Sequence, residues 1–311
     1  MSAGSAFTFG VLVPVAATDE DWKRLPDLLD SLFTYESAAD EVVILDDGPA
    51  GRPMPAAPAG CRLTRLPNAR AGQGDGWSGG LCAGMIGGYH YLQSSSPPSR
   101  RFVLRIDTDA LIIAPFAQQI ADVFERRPDV GMLGSYLLSP NGKPRGFEYW
   151  GKLLEDMLKP WLRGARRRRT GRPLPTNLWG RPARLRRIIR RALAHGYVLG
   201  QSVQGGAYAI SARALNTLAD QKLLDDPQLW VKTDLVEDVM MSMLVMAAGM
   251  QLHGFAANGE VFGVLHKGLA DTPQRLLERG YAIIHSIRND LRWSEAEIRA
   301  FFQQHRHPGA I

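Results

Sequence analysis

Apolar runs with strand or helix spacing alternate along the chain with polar, turn-forming segments. Phe9 to Val15 is a largely apolar run interrupted by Pro14, which reads as a buried strand. Trp22, Leu25, Leu28, Leu29, Leu32 and Phe33 then recur at helical spacing, with Thr18 or Asp19 placed to cap the start. Glu41 to Leu45 returns to strand pattern and runs directly into Asp46, Asp47 and Gly48. Strand, helix and strand in that succession predict a βαβ unit and a parallel sheet. Ala50 to Gly60, rich in Pro, Ala and Gly, reads as a surface loop. Leu63 to Leu66 follows as a short strand, and Asn68 to Gly80 as a glycine-rich turn leading into a helix through Leu92.

Arg101 to Ile106 is the next predicted strand, and it stops at Asp107, Thr108 and Asp109. Acids again stand where a hydrophobic strand ends, and in open α/β sheets ligands gather at those carboxyl-terminal edges. A helix is expected over Ala117 to Arg127 and a strand over Val130 to Leu138. Beyond Pro140 the pattern turns irregular, which suggests an insertion carrying short helices rather than a second domain. Order returns with a strand at Gln204 to Ile210, a helix from Ser211, and a helix over Asp234 to Met246. Short strands at Gln251 to Phe255 and Glu260 to Leu265 precede two helices, Pro273 to Ile287 and Glu295 to Gln304. Ser294 and Glu297 have capping-box spacing for the last. The expected fold class is α/β: a mostly parallel sheet flanked by helices, with an arginine-rich insertion and C-terminal helices.

Composition changes this picture in one place. The formal charge is +6, yet twelve arginines and no acid lie between Trp161 and His195, so the rest of the chain is close to neutral or mildly acidic. Arg166 to Arg169, Arg184, Arg186, Arg187, Arg190 and Arg191, with Leu185, Ile188, Ile189 and Leu193 as an apolar stripe, fit contact of residues 163–193 with anionic lipid. An anionic acceptor and a solvated insertion remain open alongside it. Nucleic acid is disfavoured, because no RNP pattern, zinc finger or helix-turn-helix accompanies the patch. Cys61 and Cys82 form no CxxC pair, which argues for a reducing, cytoplasmic setting. Met1 to Phe9 has no signal-peptide pattern, and Met240 to Met250 is too short to span a bilayer. Peripheral attachment to the inner face of a membrane stays open.

Candidate chemistry sits at the strand ends. Two carboxylates one residue apart, Asp107 and Asp109, can hold a hard divalent cation such as Mg²⁺ or Mn²⁺, with Arg105 adding positive charge nearby. A turn that simply carries two acids is the plainer account. Glu237-Asp238 opens a helix, where acids also complement the dipole. Gly74, Gly76 and Gly79 have GxGxxG spacing without a strand immediately before them, and no GxxxxGK[ST] is present, so neither phosphate-loop motif is supported.

VLVPV at Val11 to Val15, VVILDDG at Val42 to Gly48, LRIDTD at Leu104 to Asp109, QGGAYAISARAL at Gln204 to Leu215 and VEDVMMSMLVMAAG at Val236 to Gly249 run in order across about four-fifths of the chain. This succession resembles the inverting family-2-like glycosyltransferases of the GT-A fold. Two departures stand out: Val15-Ala16-Ala17 replaces the usual polar residues after the first strand's Pro14, and Pro49 rather than Ser follows DDG. The resemblance implies one domain over residues 1–311, with 1–115 mainly nucleotide-binding, 140–200 the basic insertion, 201–270 the acceptor and catalytic part and 271–311 a helical tail. It implies transfer of a sugar from a nucleoside diphosphate sugar, UDP-sugar favoured, to a hydroxyl of an acceptor that is lipid-linked, anionic or neither. Pro14, Asp46 and Asp47 would lie at the nucleotide, and Arg105, Asp107 and Lys267 at its ribose and diphosphate. Asp109 would bind Mn²⁺ or Mg²⁺ with Asp107 and His266, and Asp238 beside Glu237 would be the general base. Two other readings compete: a nucleotidyltransferase, which lacks its glycine-rich signature here, and a non-catalytic basic module for membrane or nucleic acid.

Overall fold

The computed structural model describes residues 7–49, 51–68, 77–159, 181–231 and 233–307. Strand β1 (Thr8–Val15) lies between two parallel neighbours, β2 (Ala39–Asp46) and β4 (Arg100–Ile106). Helix α1 (Asp19–Tyr35) makes the crossover from β1 to β2, and β3 (Arg62–Pro67) extends the sheet beyond β2. Helix α2 (Trp77–Ser94) then carries the chain back past β1 to β4. With β6 (Val130–Gly134), β7 (Ala207–Ser211) and β8 (Gln251–Gly254) the order is β3-β2-β1-β4-β7-β6-β8, and only β7 runs antiparallel to its neighbours. The result is an α/β, Rossmann-like sheet flanked by helices.

Strands buried on both faces read as continuous apolar runs, which is why the central ones were legible. Val11, Val13, Ile44 and Leu104 point into one core layer, and Leu12, Val43, Leu45 and Val103 into the other. Helix α7 (Glu237–Ala247) is buried along its whole length, as its unbroken apolar sequence requires. The run into Met250 is thus core, and among the described residues no helix is long and apolar enough to cross a membrane.

Helices α4 (Glu148–Leu158) and α5 (Arg181–Ala194) come from the arginine-rich region and join this core. Leu154, Leu185, Ile188 and Ile189 are all buried in it. The apolar stripe expected to meet lipid therefore faces inward, with only Leu193 remaining 37% exposed. Arg166 to Arg169, Trp161 and Trp179 lie outside the described residues, as do Arg70, Gly72, Gly74 and Gly76 of the glycine-rich turn. On α2, a Cβ at Gly79 would stand 2.4 Å from the Val231 carbonyl and one at Gly88 2.7 Å from Leu12, so these glycines serve close packing.

Two expectations change. The strand from Val130 ends at Gly134, because Leu138 bridges Pro144 in a separate hairpin. The long helix expected over Pro273 to Ile287 is instead a short one, α8 (Pro273–Glu278), followed by β10 (Ile283–His285). Gly280, at φ 75°, breaks the helix, and the β-branched pair Ile283-Ile284 enters a second sheet between β5 (Leu111–Ile112) and β9 (Phe262–Val264). Helix α3 (Ala117–Arg126), α6 (Ala212–Asp220) and α9 (Glu295–Arg306) fall where predicted, and Ser294 and Glu297 form the reciprocal capping box of α9.

Candidate metal centre and adjoining carboxylates

The winding direction of the sheet reverses between β1 and β4, the switch point where a crevice opens beyond the carboxyl ends of the strands. Pro14 from β1 and Asp107, Thr108 and Asp109 after β4 line a cavity of about 650 Å³ there. The Asp107 N–H donates to the Gly206 carbonyl (2.8 Å), and Thr108 donates its hydroxyl to Asp21 (3.0 Å). The turn is thus held from β7 on one side and α1 on the other.

The histidine brought against these acids is His285, at the end of β10, rather than His266. His285 Nε2 lies 3.2 Å from Asp109 Oδ1 and 3.7 Å from Asp107 Oδ2. Ligand atoms of all three residues fall within 4.8 Å of one another. Bonds of roughly 2.1 Å to one ion place donor atoms about 3 to 4 Å apart, so this group could hold a divalent cation. Its supporting contacts have the matching form. His285 Nδ1 is 2.7 Å from the Leu265 carbonyl, which can only accept, so Nδ1 carries hydrogen and Nε2 faces the carboxylates. Ser286 (2.6 Å) and Arg288 (3.0 Å) hold Asp109 Oδ2, leaving Oδ1 toward the imidazole. Burial alone would raise the Asp109 carboxyl, but His285, Ser286 and Arg288 outweigh it and hold it well below the usual carboxylate range. Burial likewise opposes charge on His285, and the two aspartates overcome it and raise its pKa.

Gly206 is demanded by this arrangement. Its φ is 101°, and a Cβ there would stand 2.3 Å from the His285 ring. Gly205 instead positions a carboxylate, since its N–H donates to Asp238 Oδ2 (2.9 Å) while the Val239 N–H donates to Oδ1 (2.8 Å). Asp238 is thereby fixed at the start of α7, and burial raises its pKa. Neighbouring Glu237 is pushed up to about 7 by burial, against the opposing charge of Arg105. Arg105, 2% exposed, joins the two motifs, lying 2.8 Å from Asp107 and 2.7 Å from Glu237. Tyr208 donates to Glu237 (2.9 Å) and receives a bond from Tyr89 (3.1 Å), completing a buried polar chain.

Other predicted residues are placed differently. His266 and Lys267 line the cavity as exposed residues. Asp46 lies level with Val15 on the neighbouring strand, outside the cavity lining. It is ion-paired with Arg65 and approached by Arg52 at 3.9 Å, and both guanidiniums sit over the Trp22 ring. Asp47, half-buried, donates its N–H to the Val15 carbonyl. Trp150 lines the cavity, whereas Trp230 is core. Cys61 and Cys82 form no disulfide, and the Cys82 thiol donates to the Leu235 carbonyl (3.3 Å). Motif reading missed His285 and Arg145, a cavity residue on the Asp238 side. The break at Gly280 followed by Ile283-Ile284 was the signal available for His285. No protein-family model matches the chain, and no curated protein matches its sequence. The functional reading rests on the site itself.

Proposed function

We propose that the chain is a metal-dependent inverting glycosyltransferase with a GT-A-like fold, transferring a sugar from a nucleoside diphosphate sugar, UDP-sugar favoured, to an acceptor hydroxyl. The observation that carries this reading is the meeting of two separate carboxylate motifs in one cavity. Asp107, Asp109 and His285 make a divalent-ion group, and the buried Asp238 lines the same cavity. An Asp₂His donor set suits Mn²⁺ better than Mg²⁺, because imidazole is a softer ligand. A bound ion there would neutralise charge on the leaving diphosphate.

The chain's own residues supply the rest. Asp238, aimed by two backbone N–H groups, accepts the proton of the acceptor hydroxyl as its oxygen attacks the anomeric carbon. Displacement from the face opposite the diphosphate inverts the configuration. Arg288, paired with Asp109, and Lys267, which lines the same cavity, are cations for the phosphates. Asp46, with Trp22, Arg52 and Arg65 around it, lies at the same sheet edge and fits the nucleotide's base or ribose. A degenerate, non-catalytic module would have no need of an aspartate desolvated and aimed in this way.

Calorimetric titration of UDP, GDP, CDP, TDP and ADP, each with and without Mn²⁺, tests the reading. One diphosphate should bind tightly only with metal, and D109A should remove that dependence. Binding of none of them under either condition would overturn the proposal.

A further inference from the structure

Among the described cations of the cavity, Arg145 is the one the transfer reading leaves without a role. It follows the hairpin bridged at Leu138 and Pro144, and its Nη1 donates to the carbonyls of Ser135 (2.8 Å), Tyr136 (3.0 Å) and Ser202 (2.5 Å). These are neutral acceptors, so they fix the guanidinium without cancelling its charge. Among the described residues no carboxylate pairs with it. Burial pushes its pKa down to about 10, which still leaves it charged at neutral pH.

Which edge is left over matters. With Nη1 consumed by backbone, the side formed by Nε–H and Nη2–H carries none of these bonds, and that edge offers the parallel fork that takes a carboxylate or phosphate. Arg288 serves the end of the cavity at Asp109, whereas the carboxylate whose charge acts on Arg145 is Asp238. Ser202, which anchors Arg145, is three residues from Gly205, which anchors Asp238. The guanidinium also lies 5.2 Å from the centre of the Phe147 ring, and Trp150, one helical turn on, lines the same cavity. Aromatic faces of this kind cover the apolar face of a sugar ring.

We propose that Arg145, Phe147 and Trp150 form the acceptor subsite, and that the acceptor is a sugar carrying a carboxylate or phosphate group. The ring lies against Trp150 and Phe147, the anion is held by the Nε/Nη2 edge of Arg145, and a hydroxyl reaches Asp238. This inference rests on the glycosyl-transfer reading, since it assigns the second substrate of that reaction.

Three probes test it: methyl glucuronoside, glucose 6-phosphate and methyl glucoside. Each is titrated into the wild type, Arg145→Gln, Arg145→Lys and Trp150→Ala by ligand-observed NMR, and each protein is also titrated with Mn²⁺ and with UDP plus Mn²⁺. The wild type should bind one anionic probe at least tenfold more tightly than methyl glucoside, and which one identifies carboxylate or phosphate. Arg145→Gln should erase the preference, Arg145→Lys should keep part of it, and Trp150→Ala should weaken all three probes. Mn²⁺ affinity should stay unchanged throughout. The inference is overturned if the wild type shows no anionic preference or binds no probe, if the preference survives in Arg145→Gln, or if that variant loses UDP–Mn²⁺ binding by the same factor. Failure of Mn²⁺ to bind the wild type, with the anionic preference intact and dependent on Arg145, would instead sink the glycosyltransferase reading and leave an anion site.

Discussion

Both oxygens of Asp238 accept backbone N–H bonds that favour its charged form, yet burial dominates and raises its pKa. A base must be ionised to take a proton, so a raised pKa moves the acid limb of the rate profile to higher pH. The kcat of the proposed transfer should therefore fall at a pH above the ordinary aspartate value of about 3.9. Asp238→Asn should lower kcat by roughly 10²- to 10⁴-fold and leave Mn²⁺ binding intact. The two histidines separate by position. His285→Ala should weaken Mn²⁺ by at least about tenfold in an EPR titration, whereas exposed His266→Ala should change it by less than about threefold. Gly206→Ala should resemble His285→Ala, because its methyl would displace the imidazole.

At the scale of elements, ion pairs decide which pieces are tied together. Helix α9 is clamped to α1 by Arg24 on Glu295 (2.8 Å), and Arg299 and Arg306 both pair with Asp27. Arg299 also reaches the Thr108 carbonyl (3.3 Å), so the C-terminal helix braces the Asp107–Asp109 turn. At the amino-terminal edge of the sheet, Glu41 of β2 accepts from Arg62, Thr64 and Ser95, with Arg100 at 3.3 Å. Burial works against its charge, but these partners win and hold its pKa down to about 2. A depressed carboxylate stabilises the fold above its unfolded pKa of about 4.3 and loses that contribution as pH falls toward about 2. Glu41→Gln should cost roughly 2 to 4 kcal/mol at pH 7 in urea denaturation, because it strips the buried Arg100 and the nearby Arg62 of a partner. The gap from wild type should narrow as pH drops through that window.

Seen as a whole, the central sheet carries a charged network at each of its two ends. The amino-terminal edge carries the Asp40, Glu41 and Arg100 network, in which charges are mutually satisfied. The carboxyl-terminal edge carries the Asp107, Asp109 and His285 group together with buried acids of raised pKa. Such acids are tolerated only where a ligand or partner repays their desolvation. An ion that binds only the folded state should stabilise it by RT ln(1 + [L]/Kd), or about 2.7 kcal/mol at a hundredfold excess over Kd. Mn²⁺ should accordingly raise the melting temperature by several degrees, and D109A should abolish the rise.

What the amino-acid sequence determined by itself was everything governed by local pattern. Apolar runs at Phe9 to Val15, Val42 to Leu45 and Phe102 to Ile106 placed the central strands, because strands buried on both faces need no neighbour to be recognised. Acids at the ends of β4 and at the start of α7 were legible as chemistry for the same reason, since a charge ending an apolar run needs an explanation. Tertiary structure alone decided which residues meet. His285 lies 176 positions beyond Asp109 and reaches it only because β10 pairs with β5 and β9, a contact that no local spacing encodes. The inward turn of Leu185, Ile188 and Ile189 was decided in the same way, because an amphipathic stripe specifies that a helix buries one face but not what covers it.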